Sequence, residues 1–346
     1  MRQSVRSSVG LMASVAALAG WTPAHAQQLS ELFRKVSPSV VLVRTVERSV
    51  GPERAGLTTI PGLGSGVLIS AEGKIMTAAH VVQTADRVGV QFQDGKVYPA
   101  HVVASSVRAD VALLQLDQFP MALAPAKLGN SDSLAVGDQI IVIGAPYGLG
   151  HSLTVGHVSG RIPGGGMVSG GPMEMIQTDA AINMGNSGGP MFNMNGEVVG
   201  IVSRILTQSG GFEGLGFAIP SKVAERVLLN AKSFWSGIDF VVLQDTMAQV
   251  FNVPQPAGLL VQQVAAGSPG ALLGIRAGTV RAKIGEGELL IGGDIVLEVA
   301  GIAITPNGGS FEQIQNYLSG LKVGDSLKVN VLRGGKVVHL AAPRAR

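Results

Sequence analysis

The sequence predicts a mainly β chain in two domains, an antiparallel barrel or sandwich followed by a small α+β domain. Short apolar segments rich in β-branched residues recur along the first domain, and turn sequences such as Asp94-Gly95 and Asn195-Gly196 separate them. Glycine is also abundant, with 48 of 346 residues, which favours many tight turns over long helices.

The predicted strands of the first domain are short apolar runs bounded by turn residues. They are 40–46, 65–70, 73–76, 88–93, 98–104, 111–116, 139–144, 174–178, 197–203 and 216–219. The pattern changes at Pro220, after which 222–234 has helical spacing with Ser221 as a predicted N-cap. We therefore assign the first domain to residues 27–233.

Residues 238–346 form the second predicted domain. One helix begins at Ser268-Pro269, and another begins at Ser310, forms a capping box with Gln313 and ends before Gly320. The predicted strands are 239–243, 258–264, 294–299, 326–333 and 336–341.

The first 26 residues have the three-part layout of a secretory signal peptide. Arg2 and Arg6 give a positive start, an uncharged apolar stretch follows at 9–20, and the segment ends in the cleavage sequence Ala-His-Ala. The apolar stretch is shorter than the ~20 residues that a membrane-spanning helix needs. We therefore expect export, removal of residues 1–26 and no membrane span afterwards.

Charge and cysteine content narrow the possible functions. The formal net charge is +3, and it falls to about +1 once the two arginines of the signal peptide are removed. A nearly neutral chain without a run of Lys or Arg is not expected to bind nucleic acid. The chain has no cysteine, and an exported protein whose core is large enough without disulfides is expected in a bacterial periplasm.

One glycine-rich turn could carry a nucleophilic serine. The sequence Gly-Asn-Ser-Gly-Gly-Pro at 185–190 lets the backbone turn tightly and lets a substrate carbonyl approach Ser187 closely. The N–H groups of Gly185 and Ser187 could converge on the oxyanion that forms during acyl transfer. An ordinary glycine-rich turn is the alternative interpretation.

A histidine and a carboxylate are needed to activate such a serine. Of the six histidines, His80 follows a predicted strand in the segment Thr-Ala-Ala-His, which resembles the histidine segment of trypsin-like proteases. Asp110 stands at the head of the apolar strand 111–116, where a buried carboxylate must be hydrogen-bonded. The other candidate acids, in more polar surroundings, are Asp86, Asp117 and Asp132.

Five segments together resemble the HtrA/Deg family of serine proteases. They are 77–82, 110–114, 144–150, 177–190 and 214–220, in the family's order of His, Asp and Ser. The resemblance covers nearly all of 27–346. It implies two six-stranded, chymotrypsin-like β-barrels with the active site between them, followed by one PDZ domain. It also identifies His80, Asp110 and Ser187 as the catalytic triad, with Gly185 and Ser187 as oxyanion donors.

The resemblance implies an ATP-independent serine endopeptidase that degrades unfolded or misfolded exported proteins, a role in the stress response and in protein quality control. It also implies a homotrimer that assembles through Leu29, Leu32 and Phe33, apolar residues that a monomer could leave exposed. The segment 45–64 is short, whereas some family members have a long regulatory loop there. No cofactor and no metal are expected, because the sequence has neither a Walker-type loop nor metal-ligand spacing.

Substrate specificity is predicted to be apolar. Ala181 stands six residues before the serine, where trypsin has its pocket carboxylate. We expect a pocket lined by Ile182, Ile205 and Leu215 that suits cleavage after small or medium apolar residues, with plain core packing as the alternative for each. Because such residues are buried in folded proteins, the substrates would be unfolded chains or peptides.

The PDZ domain is predicted to bind peptides and to modulate the protease. The segment Ser236-Gly237-Ile238 resembles the carboxylate-binding loop, although Asp239 beside it would repel an incoming carboxylate. Gly237 and Ile238 are therefore candidate binding residues. Ile314 and Leu318 lie on one helix face, and their spacing fits a groove lining and a core position equally well.

Activation is predicted to need no proteolytic cleavage. Asn186 stands where trypsin-like zymogens have the Asp that pairs with a freed N-terminus. The glycine-rich loops 148–171 and 207–214 are expected to be mobile, so that substrate or a peptide on the PDZ domain orders them. A second class of function stays open: a chaperone or peptide-sensing PDZ protein with little proteolytic activity.

Overall fold

The fold is described from a computed structural model of the chain. The structure describes residues 24–51, 57–118, 124–145, 148, 150–163, 174–231, 233–284 and 287–344. The predicted signal peptide therefore lies outside the described residues except for its last three. Within these ranges, no helix has the length and apolar character that would let it cross a bilayer.

The described chain consists mostly of short strands, which confirms the mainly β class. The strands of the first domain are β1 (Val40–Val50), β2 (Leu57–Leu68), β3 (Lys74–Thr77), β4 (Arg87–Gln91), β5 (Val97–Ser106), β6 (Val111–Leu116), β7 (Lys127–Leu128), β8 (Gln139–Gly144), β9 (Ser152–Ile162), β10 (Met175–Thr178), β11 (Pro190–Asn193), β12 (Glu197–Ile205) and β13 (Gly216–Pro220). Those of the second domain are β14 (Ile238–Gln244), β15 (Ala257–Val264), β16 (Val280–Ile284), β17 (Gly287–Ile291), β18 (Ile295–Val299), β19 (Ile302–Ala303), β20 (Ser326–Arg333) and β21 (Lys336–Pro343). The helices are α1 (Ala24–Val36), α2 (Ala79–Val82), α3 (Ser221–Ala224), α4 (Asp245–Val250), α5 (Pro269–Leu272) and α6 (Phe311–Gly320), and α3 continues as a π-helix over Glu225–Asn230.

The first six strands close into a barrel in the order β1-β2-β3-β6-β5-β4. Side chains of a strand alternate between its two faces, and β4 shows the consequence, since Val88 and Val90 are buried between more exposed neighbours. The interior of the barrel is an apolar cluster that includes Ile75 and Leu114. In β4, the alternation of the sequence thus places one face inside the barrel.

A second ring of six strands follows in the order β11-β8-β9-β10-β13-β12 and is closed by pairing of β11 with β12. The short β7 pairs parallel with β12. One apolar cluster spans both barrels, with Met76 from the first and Ile141 and Phe192 from the second. The expected double barrel is therefore confirmed, and the shared cluster fixes how the two halves meet.

Strand β9 corrects the expectation of a mobile loop over 148–171. Its glycines serve close packing, because a Cβ on Gly156 would lie 2.4 Å from the main-chain nitrogen of Ala180. Pairing with both β8 and β10 outweighs the weak strand preference of glycine. The part of the predicted loop at 164–173 lies outside the described residues.

The predicted cap at Ser221 is wrong, whereas Ser310 is the N-cap of α6 by position but not through its side chain. Ser221 is the first residue of α3 rather than its N-cap, and its hydroxyl donates to the carbonyl of Gly129 at 2.8 Å. Ser310 does precede α6, but its hydroxyl accepts from the N–H of Thr305 at 3.1 Å and caps no N–H of the helix. In each case a partner outside the helix replaces the local one.

The second domain is an antiparallel sheet in the order β14-β15-β18-β20-β21, with β19 paired to β18. Helix α6 packs on it through Ile314 and Leu318, which are both buried in the apolar cluster of this domain. Their core position is therefore established. The analysis of the sequence missed α4 and the hairpin of β16 and β17.

Helix α1 packs on the chain's own core. Leu32 and Val36 are buried in the cluster that spans the two barrels, and Leu29 and Phe33 lie partly buried against it. The expectation that a monomer leaves this segment exposed is therefore wrong for Leu32.

Candidate active site

His80 is carried by α2, the one-turn helix after β3. Ala78 and Ala79 before it are buried, and Ala79 belongs to the apolar cluster of the barrel. The imidazole itself points outward, with its side chain 49% exposed. The helix therefore presents a solvent-accessible imidazole on a rigid support.

Asp110 lies in hydrogen-bond contact with His80. Each of its carboxylate oxygens is 3.0 Å from His80 Nδ1, and Oδ1 also accepts the main-chain N–H of His80 at 3.1 Å. Asp110 has a φ of +51°, a left-handed conformation that Asp tolerates better than most residues. Because the carboxylate accepts from Nδ1–H, the neutral ring carries its free lone pair on Nε2.

A residue that the sequence did not indicate completes the surroundings of Asp110. The buried hydroxyl of Ser203 in β12 donates a short hydrogen bond to Asp110 Oδ2. Together with His80, it satisfies both oxygens, which offsets the cost of burying a carboxylate. Ser203 is 93 residues away in sequence, and only the pairing of the second barrel brings it here.

Ser187 lies in the turn between β10 and β11. Its hydroxyl donates to the main-chain carbonyl of Ser203 at 3.4 Å, and no hydrogen bond between described atoms joins it to His80. Gly188 after it has a φ of +83°, and a Cβ there would lie 2.3 Å from the carbonyl oxygen of Ser65. The glycine is therefore required by contact between the two barrels, which an ordinary surface turn would not need.

Two main-chain donors beside Ser187 are free. The N–H groups of Asn186, Gly188 and Gly189 each donate to a main-chain carbonyl. By contrast, the N–H groups of Gly185 and Ser187 reach no acceptor among the described residues. Gly185 is buried, and buried N–H groups are almost always paired. These two N–H groups are therefore available to an oxygen of a ligand.

Two buried side-chain atoms also lack a partner among the described residues, Asn186 Oδ1 and His151 Nδ1. Asn186 carries no charge and so forms no ion pair of the zymogen type. Burial lowers the pKa of His151.

The three predicted pocket residues do not form one group. Ile182 is 3% exposed and lies in a core cluster of the second barrel, with Ile205 packed against it. Leu215 packs against the cluster that spans both barrels. A Cβ on Gly216 would lie 2.6 Å from Ile182 Cδ1. Core packing thus accounts for Ile182, and the apolar specificity pocket stays a prediction.

Comparison with known proteins agrees with this arrangement. Residues 64–201 match the trypsin-like peptidase domain, and residues 237–343 match the PDZ domain. The periplasmic pH-dependent serine endoprotease DegQ of Escherichia coli K12 is 33% identical over 360 residues, an alignment that covers 98% of this chain and 73% of that protein. The chain belongs to the HtrA/Deg family of serine proteases.

Other HtrA/Deg relatives are longer. A probable periplasmic serine endoprotease DegP-like of Pseudomonas putida F1 is 39% identical over 284 residues, which cover 80% of this chain and 55% of that protein. The chain thus spans about half the length of the DegP-like relatives. The solved structure of the HtrA-type protease AlgW with a decapeptide is 28% identical, with a TM-score of 0.52, and the match covers 91% of this chain and 98% of that one.

In this HtrA/Deg chain, the predicted carboxylate-binding loop lies against the first barrel. Gly237 has a φ of +69°, and a Cβ there would lie 2.1 Å from Ser268 Cβ. The N–H of Ile238 donates to Ser236 Oγ at 3.2 Å, and the carbonyl of Ile238 accepts from Gln83 Nε2 at 3.0 Å. The loop therefore contacts the residue that directly follows α2.

Asp239, next in sequence, lies in a cavity between the barrel and the second domain that Ser49, Gln263 and Arg281 also line. Partial burial and the nearby charge of Glu47 raise the pKa of Asp239. The effect of Asp239 on an incoming carboxylate stays a prediction. In the described part of the chain, no cluster of three or more His, Asp or Glu side chains could hold a metal ion.

Proposed function

We propose that this chain is a periplasmic serine endopeptidase that hydrolyses unfolded or misfolded exported proteins without ATP. The observation that carries the proposal is the His80–Asp110 contact beside a glycine-flanked Ser187 with two free N–H groups. The names of the DegP-like and DegQ relatives and the predicted signal peptide support the location and the reaction class.

The proposed reaction begins when the hydroxyl of Ser187 turns from Ser203 toward His80 Nε2. Apo structures often show such catalytic hydrogen bonds unformed. Ser187 Oγ attacks the scissile carbonyl, and Nε2 takes its proton and later gives it to the leaving amine. Asp110 stabilises the imidazolium, while Gly185 N–H and Ser187 N–H stabilise the oxyanion. Water then attacks the acyl-enzyme with His80 again taking and returning a proton, which releases the acyl product and restores Ser187.

Substrates are proposed to be unfolded chains cleaved after small or medium apolar residues. Neither Ala181 nor Ile182 is acidic, so neither side chain favours cleavage after Lys or Arg. A digest of one protein in its folded and its reduced, unfolded forms, without ATP, tests this, with cleavage sites identified by mass spectrometry. Preferential cleavage of the unfolded form after apolar residues is expected. Cleavage mainly after Lys or Arg, or binding of the unfolded chain without cleavage, would reject the proposal.

We also propose that the PDZ domain modulates the protease through Gln83. This buried side chain donates to Ile238 O and accepts from Ser105 Oγ, and the main-chain carbonyl of Gln83 accepts from the indole of Trp235. Gln83 directly follows α2, which carries His80. Movement of the PDZ loop on binding a peptide can therefore shift the helix that holds the catalytic imidazole.

Replacing Gln83 with leucine should uncouple the two domains. Peptides with apolar C-termini are expected to raise turnover of the native protein, and the variant should lose about fivefold of that stimulation, since coupling energies of 1–3 kcal/mol correspond to 5–150-fold. The measurement is turnover of a short substrate against activating-peptide concentration. Gln115→Leu is the matched control, because the hydrogen bonds that the Gln115 side chain makes among the described residues stay within the first barrel. Equal stimulation of the native protein and of Gln83→Leu would contradict this route.

A homotrimer remains the proposed assembly, on the resemblance to the family and the position of α1. Because Phe33 stays partly exposed beside the buried Leu32, the outer face of α1 is available to a second copy. Light scattering of the exported chain at micromolar concentration should give three times the chain mass. A monomeric mass at that concentration would contradict the trimer.

A further inference from the structure

Ser65 in β2 is fully buried and makes hydrogen bonds through all of its polar groups. Its hydroxyl donates to the carbonyl of Gly185 at 2.6 Å and accepts from the N–H of Ala145 at 3.0 Å. Its main-chain N–H donates to the carbonyl of Ser187 at 2.8 Å, and its carbonyl accepts from Thr77 Oγ1 at 2.7 Å. One residue of the first barrel thus binds both residues that supply the free donors.

These contacts bear on the orientation of Gly185. This glycine has a φ of +99°, and without a Cβ its backbone has access to many other conformations. The peptide between Gly185 and Asn186 is held at both ends, by Ser65 Oγ on its carbonyl and by the carbonyl of Asn183 on its N–H at 3.0 Å. The hydrogen bond from Asn186 to Asn183 also closes a turn whose central peptide, from Met184 to Gly185, carries the Gly185 N–H. Because Ser65 anchors one end of this turn, the contact limits the rotation of the central peptide and so the direction of that N–H.

An oxyanion hole is effective when its donors already face the position of the developing charge. We propose that Ser65 is a positioning residue for the reaction. Its hydroxyl holds the carbonyl of Gly185, and its N–H holds the carbonyl of Ser187, so that the turn carrying the two free N–H groups is fixed before substrate arrives. Ser65 does not touch the substrate and does not act as a nucleophile, because its proton is committed to Gly185.

The hydroxyl also connects the catalytic turn to the end of β8. Ala145, which donates to it, directly follows β8 in the second barrel, so Ser65 joins three segments that are distant in sequence. The packing around Ser65 is close, since a Cβ on Gly189 would lie 3.1 Å from Ser65 Cβ. A side chain at Gly189 would therefore displace the turn.

The test is Ser65→Ala in the full exported chain, and it rests on the proposed peptidase function. We expect kcat to fall about 10- to 100-fold with little change in KM, less than the 10²–10³ typical of deleting a donor outright. A peptide aldehyde, which forms a tetrahedral hemiacetal with Ser187, should lose affinity by the same factor as kcat/KM. A non-reactive peptide of the same sequence with a C-terminal amide should bind as before.

Ser221→Ala is the matched control. The hydroxyl of Ser221 is also buried and donates to a main-chain carbonyl, that of Gly129, so its removal has a comparable structural cost without affecting Gly185 or Ser187. If Ser65→Ala loses no more kcat than this control, or loses affinity equally for the aldehyde and the amide, the positioning role is wrong.

A second variant covers the case in which Ser65→Ala does not fold. Ser65→Cys keeps the position filled with a weaker donor, and its aldehyde-to-amide affinity ratio should also fall below that of Ser221→Ala. An unchanged ratio overturns the inference. The peptidase proposal fails separately, if the native chain does not cleave unfolded protein or if Ser187→Ala cleaves it.

Discussion

Replacing Ser187 with alanine is expected to lower turnover of an unfolded substrate such as casein by about 10⁶-fold, the loss typical of removing a triad nucleophile. The hydroxyl of Ser187 is the group that forms the acyl-enzyme, and alanine has no group that can replace it. The residual rate would come from the free N–H groups and from binding alone. The measurement is initial cleavage of labelled casein by native and variant proteins at equal concentration.

Stability provides the control for this variant. Ser187 is partly exposed, and the one hydrogen bond that its hydroxyl donates among described residues is long, 3.4 Å to the carbonyl of Ser203. The thermal unfolding midpoint should therefore stay unchanged. A stable, folded Ser187→Ala protein that cleaves casein at a near-native rate would show that the nucleophile lies elsewhere.

Asp110→Asn should lower kcat by about 10⁴-fold, as expected for the carboxylate of a Ser-His-Asp triad. Both oxygens of Asp110 now accept hydrogen bonds, from His80 and from Ser203. The NH₂ group of asparagine would face either His80 or Ser203, and both of these residues are hydrogen-bond donors to Asp110 in the native protein. If it faces the imidazole, the ring proton moves from Nδ1 to Nε2 and no longer leaves a base for Ser187. Casein cleavage by the purified variant measures the loss.

Asp117→Asn is the matched control for this charge change. Asp117 also contacts a histidine, with 2.5 Å between its Oδ1 and His101 Nδ1, but this pair lies at the exposed surface of the first barrel. Its replacement should leave kcat within about twofold, since exposed ion pairs contribute little. Equal losses in the two variants would mean that general electrostatics, rather than tautomer control, explains the effect of Asp110.

Much of the fold was predictable because many of its strands are short apolar runs bounded by turn residues. The predicted strands 111–116, 139–144 and 326–333 coincide with β6, β8 and β20 residue for residue. Each combines apolar or β-branched residues with clear turn signals at its ends. At these strands, the local sequence pattern and the burial in the folded protein favour the same structure.

The elements that the sequence did not indicate depend on distant contacts. Strand β9 contains glycines, which are typical of a loop. Gly156 is nevertheless needed in the strand, because it packs closely on Ala180. The hydroxyls of Ser221 and Ser310 have better partners outside their helices than at the helix ends. Local propensity has no information about such partners.

The candidate site divides in the same way. Contiguous motifs identified His80, Asp110 and the turn at 185–190, and the structure brings His80 and Asp110 into contact. Ser203, Ser65 and Gln83 were not found, because each acts through a hydrogen bond to a residue at least 93 positions away. A single serine or glutamine in a strand or after a helix has no local signature of such a role.

Reaction of the exported chain with a fluorophosphonate tests the central claim most directly, because this reagent labels only a serine that a neighbouring base has activated. Mass spectrometry of the digested adduct should place the label on Ser187, and His80→Ala should abolish labelling in a protein that remains folded. A folded native chain that never labels, or that labels at a serine other than Ser187, would contradict the proposed active site.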